Sequence, residues 1–163
     1  MSDVRWLSDS QQRLWRLMLD TDSVVRRVIE DTLQAPHSLT SAEFAVLVAL
    51  SEAPDTMLRL RELCAALRWD RSRTSHQVTR MEKRGLVTKS PCEGDGRGVL
   101  VRITEEGMSR LTLAAPDHVE SVRAVIFDQI ATMSESELAH VTAFFTAIVN
   151  SPKARAVTAA IGE

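Results

Sequence analysis

Apolar residues recur every three or four positions over most of the 163-residue chain, which is the spacing of amphipathic helices. Three of these segments begin with a Ser or Thr that is followed three residues later by Glu or Gln, the pattern of a capping box. The three pairs are Ser8 with Gln11, Thr40 with Glu43, and Ser134 with Glu137. The pattern therefore predicts a mainly α-helical protein and fixes where three of its helices begin.

Prolines and one further cap predict the limits of the outer helices. The first helix should cover about residues 9–33 and stop at Pro36, and the second should end before Pro54. Thr104 is a good N-cap for a later helix. Pro116 lies inside the apolar pattern of that helix, so we expect a kink or a break just before it.

Two shorter helical segments lie in the middle of the chain, separated by a turn of two residues. Residues 60–67 carry apolar side chains at helical spacing, and residues 71–84 follow the turn at 68–69. Asp70 can cap the second segment, and Gly85 can adopt the left-handed conformation that ends a helix. A connection this short predicts a sharp corner between the helices, as in a helix-turn-helix.

After Gly85 the pattern changes from helical spacing to the alternation of a strand. Residues 86–89 and 99–103 read as two short strands, joined by a turn-rich loop with three glycines and one arginine, Arg97. A hairpin beside a DNA-reading helix is a wing, and an arginine at its tip can enter a narrow minor groove. The sequence therefore predicts a winged helix-turn-helix over residues 40–104.

The second helix of this unit has one narrow apolar face and one polar face. Thr74, Val78 and Met81 fall on the apolar side at 100° per residue. Arginine and histidine can donate to guanine edges, glutamine can pair with adenine, and serine can reach phosphates. The predicted DNA contacts of this helix and the strand after it are Arg71, Ser72, Arg73, Ser75, His76, Gln77, Arg80, Lys83 and Lys89.

The charge distribution supports this division. Between Arg59 and Arg102 there are 11 Lys or Arg against 5 Asp or Glu, whereas the rest of the chain holds 9 basic and 17 acidic residues. A net charge of −2 therefore conceals a basic patch in an acidic frame. Phosphate binding requires a local basic surface rather than a basic total.

The chain resembles the MarR (multiple antibiotic resistance regulator) family of winged-helix transcription factors. The resemblance rests on DRSRTSHQVTRMEKRGLV at residues 70–87, on Asp95-x-Arg97 in the wing, and on the LV-x-IT-x-x-G pattern at residues 100–107. It implies a homodimer whose recognition helices enter successive major grooves and whose wings enter the flanking minor grooves. It further implies that Arg97 contacts DNA and that Asp95 holds Arg97 or a nearby recognition-helix arginine in place. The short wing and its Cys92 depart modestly from the pattern.

The segments on either side of the head share an apolar character. The apolar band of the first helix is wider than one packing partner requires, which favours burial in a dimer interface. We therefore predict a helical dimerisation domain formed by residues 1–39 and 105–163. A two-fold dimer would bind a pseudo-palindromic double-stranded operator, with half-sites about one helical turn apart. Members of the resembled family are most often repressors, and the resemblance therefore implies a repressor.

A pocket between the dimerisation helices and the head is a further hypothesis. The side chains that could border it are Trp15, Met18, Leu39 and His118. The resembled family often binds small aromatic or phenolic effectors in such a place. Apolar stripes on helices are ordinarily core, so plain packing is the favoured alternative.

Several other functions find little support in the residues. The four histidines and two cysteines lack metal-ligand spacing, and we find no catalytic constellation, so we predict no metal site, no cofactor and no enzyme. Cys64 lies on an apolar helix face, whereas Cys92 should be exposed; a redox sensor acting through Cys92 and Cys64 is one alternative. A non-specific architectural DNA-binding protein is another. The chain shows no signal peptide and no membrane span, which predicts a cytoplasmic protein.

Overall fold

The computed structural model describes residues 4–92 and 95–161, and only the backbone for residues 95–97 and 158–161. Helices dominate this part of the chain, and a small sheet lies near its middle. The helices are α1 (Asp9–His37), α2 (Ser41–Ser51), α3 (Leu60–Leu67), α4 (Arg71–Lys83), α5 (Glu105–Val122), α6 (Glu135–Val149) and α7 (Pro152–Ile161). The mainly α fold with a small hairpin wing, predicted from the sequence, is confirmed.

Local signals placed the helix starts correctly. The three capping boxes are present at α1, α2 and α6, and Thr104 caps α5 by accepting a hydrogen bond from the Gly107 amide at 3.0 Å. Arg59 has no side-chain acceptor for a cap, but the start of α3 is still closed, because the Arg59 amide donates to the Glu62 carboxylate at 2.9 Å. A cap acts on backbone amides within one helical turn of itself, and so it can be recognised from the sequence.

The expected stop at Pro36 and the expected break at Pro116 were wrong, whereas the alternative of a kink at Pro116 stays a prediction. Pro36 does not stop α1, which continues to His37 and ends only where Ser38 adopts a left-handed conformation with φ 52°. Pro116 does not break α5, which runs through it to Val122. A proline removes one backbone donor and bends a helix, but packing on both sides can retain the helix around it. The irregularity of this region comes later, as a π-helical turn over Arg123–Phe127 followed by a 3₁₀ turn over Asp128–Ile130.

The sheet has three antiparallel strands in the order β1–β3–β2, where β1 is Met57–Arg59, β2 is Val87–Cys92 and β3 is Asp95–Ile103. The hairpin of β2 and β3 was predicted, although both strands extend further into the wing than expected. The sequence did not predict β1, because three residues are too short to show an alternation. This strand pairs with the far end of β3, placing Leu58 opposite Val101.

The main core belongs to the segment that we call the head, residues 40–104, with additions from the end of α1 and from α5. Its fully covered side chains include Leu47, Leu50, Leu63, Val78, Met81 and Val101. Leu33 of α1 and Ala114 of α5 join the same cluster. The recognition-helix candidate α4 therefore lies on a complete apolar base that holds it in place.

The first half of α1 and the whole of α6 contrast with this core. No residue of α6 is buried, and Leu33 is the only buried residue of α1. None of the helices in the described ranges, 4–92 and 95–161, is long and apolar enough to cross a membrane.

Candidate nucleic-acid interface

Both ends of α4 are closed by local interactions. At the start, the Asp70 carboxylate accepts a hydrogen bond from the Arg73 amide at 2.8 Å, as predicted for its N-cap. At the end, Gly85 has φ +73°, and the amide of Leu86 donates to the carbonyl of Met81 at 3.0 Å. This left-handed glycine turns the chain directly into β2 and fixes the angle between the helix and the wing.

The helix exposes one face and buries the other. Thr74, Val78 and Met81 are fully covered, as the apolar stripe predicted. The exposed side chains are those of Arg71, Ser72, Arg73, Ser75, His76, Arg80 and Lys83. The face that projects from the head is therefore composed of cationic and hydrogen-bonding groups.

Gln77 is a correction to the predicted set. Its side chain is only 3% exposed, and its amide oxygen accepts a hydrogen bond from the Arg80 guanidinium. A buried amide cannot reach a base edge, so Gln77 orients Arg80 instead. The helical wheel held this signal, since Gln77 lies about 40° from Met81 at 100° per residue and thus beside the apolar stripe.

Arg73 rests on the turn that precedes the helix. Its guanidinium carbon lies 4.2 Å from the centre of the Trp69 ring, a cation–π contact. Trp69 in turn packs against the core of the head. Sequence reasoning treated Trp69 only as a turn residue and missed this supporting role, because the contact depends on where the turn sends the ring.

Lys89 connects the wing to the helix. Its ammonium lies 2.9 Å from a carboxylate oxygen of Glu82 and 3.2 Å from the hydroxyl of Thr79, both on α4. The side chain is still 30% exposed. Lys89 therefore braces β2 against α4, and only part of its charge remains for a phosphate.

The wing itself is described only in part. The side chains of Asp95 and Arg97 lie outside the described residues, so the roles predicted for them stay predictions. Cys92 was expected to be exposed, and that expectation was wrong, since this residue is only 8% exposed. A register shift between Pro91 and Cys92 reverses the alternation of β2 and turns the thiol toward the covered side. Cys64 is also buried, as expected.

The four side chains predicted to border an effector pocket do not come together. Met18 lines a cavity of about 700 Å³ between α1 and α6, whereas His118 lines one of about 770 Å³ between α2, α3 and α5. Leu39 is fully buried in the core, and Trp15 is half exposed and lines neither cavity. The reason is length: Met18 and Leu39 are 21 residues apart along α1 and the turn after it, and a helix rises about 1.5 Å per residue.

His118 lies at the seam between α5 and the head. Its ring packs on Phe44 with 4.5 Å between ring centres, and its Nδ1 is buried without a hydrogen-bond partner among the described residues. Burial lowers the pKa of His118 below its ordinary value of 6.5, because the charged form loses hydration there. The neighbouring Asp117 contacts His37 of α1, with 2.8 Å between Oδ2 and Nε2.

Comparison with known proteins relates this geometry to one group of regulators. A family model described as MarR family matches residues 37–98, the stretch that contains α2 to β3. The chain is also similar to PecS, an HTH-type transcriptional regulator of Dickeya dadantii (strain 3937). The two are 29% identical over 132 residues, which cover 78% of this chain and 76% of PecS.

Two solved structures are more alike still. AbsC, a MarR family transcriptional regulator from Streptomyces coelicolor, is 35% identical with a TM-score of 0.82, and the match covers 90% of this chain and 96% of AbsC. Sco3205, a MarR family transcriptional regulator from the same organism solved in complex with DNA, is 30% identical with a TM-score of 0.82. That match covers 91% of this chain and 94% of Sco3205.

Proposed function

Because the chain belongs to the MarR family of transcriptional regulators, we propose that it binds a specific double-stranded operator as a homodimer and represses transcription from it. A dimer bound to its operator keeps other proteins off the same stretch of DNA. The relatives described above are transcriptional regulators, and we extend this to propose that the chain is not an enzyme and that it acts in the cytoplasm, where the DNA is.

The exposed basic face of α4 is the observation that carries this proposal. The helix is capped at both ends, its opposite face is buried, and its outward side chains are arginines, histidine, lysine and serines. A rigid helix of about 12 Å diameter with such a face fits the major groove, where those side chains can donate to base edges and phosphates.

The proposed contacts follow from that exposure. Arg73, His76 and Arg80 occupy the projecting face and are assigned to base edges. Phosphate and minor-groove contacts are assigned to Arg71, Ser72, Ser75, Lys83, Lys89 and Arg97, with Asp95 holding the wing arginine. Gln77 leaves the set, because it is buried against Arg80.

Exposed apolar residues support the dimer. Half or more of the side chains of Trp15, Leu17 and Leu19 on α1 and of Phe145 on α6 is open to solvent. Apolar side chains of this size, exposed in this number, are normally covered by a partner. We propose that residues 1–39 and 105–163 form the dimerisation domain, and that the operator is a pseudo-palindrome with half-sites about 10 bp apart.

Selection from random duplex DNA by the purified protein, read by sequencing at near-physiological salt, tests the proposal. We expect enrichment of an inverted repeat. Protein with Arg73→Ala and His76→Ala is the matched control, since it should keep the fold and the dimer but lose the enriched motif. Binding without enrichment, with a steep loss of affinity as salt rises, would instead establish a non-specific architectural protein.

A small-molecule effector is a second proposal, and the His118 cavity favours it. The cavity is lined mostly by apolar side chains, and a buried Nδ1 that has no partner among the described residues can accept or donate one hydrogen bond. A small aromatic or phenolic ligand matches that lining. Calorimetric titration with a panel of phenols and aromatic acids tests it: binding should be lost in His118→Phe and kept in His76→Phe. A redox sensor finds less support, because both cysteines are buried.

A further inference from the structure

One arginine at the end of α4 joins three helices. The guanidinium of Arg84 donates from Nη1 to both carboxylate oxygens of Glu43, at 2.6 and 2.7 Å. From Nη2 it also donates to the backbone carbonyl of Ser38 at 2.6 Å. Glu43 lies in the first turn of α2, Ser38 caps α1, and Arg84 caps α4.

Glu43 is built into this corner. It is only 4% exposed, one of three buried polar or charged residues in the described part of the chain. Besides the two bonds from Arg84, its Oε2 accepts the amide of Thr40 at 2.9 Å, which is half of the α2 capping box. A buried carboxylate that accepts three hydrogen bonds from two donors is held in one orientation, and it holds its partners equally firmly.

The bond from Arg84 to the Ser38 carbonyl connects the end of α4 to the end of α1. Ser38 has the left-handed conformation that ends α1, so its carbonyl points away from the helix ladder and needs a donor from elsewhere. Arg84 supplies it. A planar guanidinium that binds a carboxylate through one terminal nitrogen and a carbonyl through the other fixes both the distance and the angle between the elements that it joins.

We propose that Arg84 is a positioning residue for DNA recognition: with buried Glu43 and the Ser38 carbonyl it fixes the end of α4 against the corner between α1 and α2. The bond thereby determines the angle at which the basic face of α4 meets the major groove. This inference rests on the proposed function, because it concerns how that recognition helix is held.

A direct contact between Arg84 and a phosphate is the competing explanation, since 38% of its side chain is exposed. A substitution at Glu43 distinguishes the positioning role of Arg84 from a direct phosphate contact. Replacing buried Glu43 by glutamine removes a negative charge near DNA, so electrostatics alone would leave affinity unchanged or raise it. Loss of the positioning bond would lower operator affinity instead, without altering the number of phosphates contacted.

Glu43→Gln and Arg84→Lys in the full-length protein test this, with Glu105→Gln at an exposed position of α5 as the control for the loss of one negative charge. We expect the operator Kd of Glu43→Gln to rise about tenfold or more, while the Kd for random duplex changes by less than about twofold. Its slope of log K against log salt should match that of the unmodified protein, because no phosphate contact is lost. Arg84→Lys should give an intermediate loss, since an ammonium cannot bridge both acceptors with fixed geometry.

Retained binding to random duplex shows within the same experiment that the variants are folded. Operator affinity of Glu43→Gln equal to or above that of the unmodified protein would overturn the inference. An equal loss on operator and random duplex for both variants would also overturn it, because general destabilisation would then explain the result.

Failure of the proposed function has a separate signature. If the unmodified protein itself prefers no sequence, the regulator proposal falls, and hydrogen exchange without DNA then decides the positioning role. Faster exchange of the amides at residues 80–86 in Glu43→Gln, with unchanged exchange in α6, would support it. Unchanged exchange at those amides would overturn it.

Discussion

The head and the helices that flank it use their apolar side chains in opposite ways. In the head, the leucines, valines and methionine at core positions are fully covered within one chain. In the flanking helices, apolar side chains of the same kinds stay open to solvent. The exposed set includes Leu14, Trp15, Leu17, Leu19, Leu138, Phe144, Phe145, Ile148 and Val149.

The head thus has a core that is closed within one chain, whereas the flanking helices leave their apolar side chains uncovered. The head, together with Leu33 of α1 and Ala114 of α5, can hold its recognition helix rigid within one chain, because this core closes around α4. The first half of α1 and the whole of α6 lack such a core, and a second chain that covers them would also set the distance between two heads. Rigidity of each recognition helix and spacing between two helices thus depend on different parts of the chain.

The same substitution in the two regions should give the largest contrast. Leu47→Ala should lower the free energy of unfolding by about 2–5 kcal/mol, because Leu47 is fully buried and the space cannot refill. Leu17 is 63% exposed within one chain, so Leu17→Ala should lower the free energy of unfolding only by weakening the dimer. Urea unfolding at several protein concentrations measures both. A Leu17→Ala effect that is independent of concentration would show that α1 is completed within one chain.

A charge on the open face of α6 should break the dimer while leaving the head intact. Phe145 is 55% exposed, and Phe145→Glu would place a carboxylate inside the proposed interface. We expect the dimer to weaken by about 2 kcal/mol or more, about thirtyfold in its dissociation constant. Sedimentation velocity measures this, with Thr88→Glu on exposed β2 as the control. An undiminished dimer in Phe145→Glu would remove α6 from the interface.

The sequence predicted the head well where the determinants are local. Asp70 and Thr104 are legible because a cap acts on amides within three residues of itself, and Gly85 because a left-handed turn needs it. The three-residue strand β1 cannot be recognised from local sequence, because it forms only by pairing with β3, some 40 residues later.

In the candidate site, too, local patterns predicted some features and missed those that depend on tertiary contacts. Exposure of the basic face followed from helical periodicity, but the partners of its side chains did not. Gln77 is buried under Arg80, and a register shift in the wing buries Cys92. Arg84 finds its acceptors about 40 residues away in sequence, on α1 and α2. Contacts of that kind depend on tertiary packing, which no local pattern encodes.

Within the head, the support beneath Arg73 can be tested separately from Arg73 itself. Arg73→Ala should cost about 1–3 kcal/mol of operator binding, because it removes a base contact. Trp69→Leu keeps the arginine but removes the ring beneath it, and should cost about 0.5–1 kcal/mol, the size of an exposed cation–π contact. Fluorescence anisotropy with operator and random duplex measures both. An equal loss on the two duplexes for Arg73→Ala would contradict its assignment to a base edge.

The smallest expected effect lies at the seam where the two regions meet. His118 of α5 packs on Phe44 of α2, and burial lowers its pKa below 6.5. As pH falls, the unfolded chain therefore takes up a proton at this residue before the folded chain does. The seam contributes its full stability above about pH 6.5 and loses it as pH falls through the lowered pKa.

His118→Phe keeps a ring against Phe44 and removes the titrating group, so its unfolding free energy should depend less on pH below about 6.5. The part of the unfolding free energy that varies with pH because of His118 should stay below about 1 kcal/mol, because His118 is partly exposed and solvent screens it. His76→Phe makes the same change on the exposed face of α4 and is the matched control. Glu52 lines the same cavity and Arg123 an adjoining one, and both remain in each variant. An identical pH dependence in His118→Phe would mean that His118 is hydrated in solution, and that the seam between head and flanking helices is looser than the head itself.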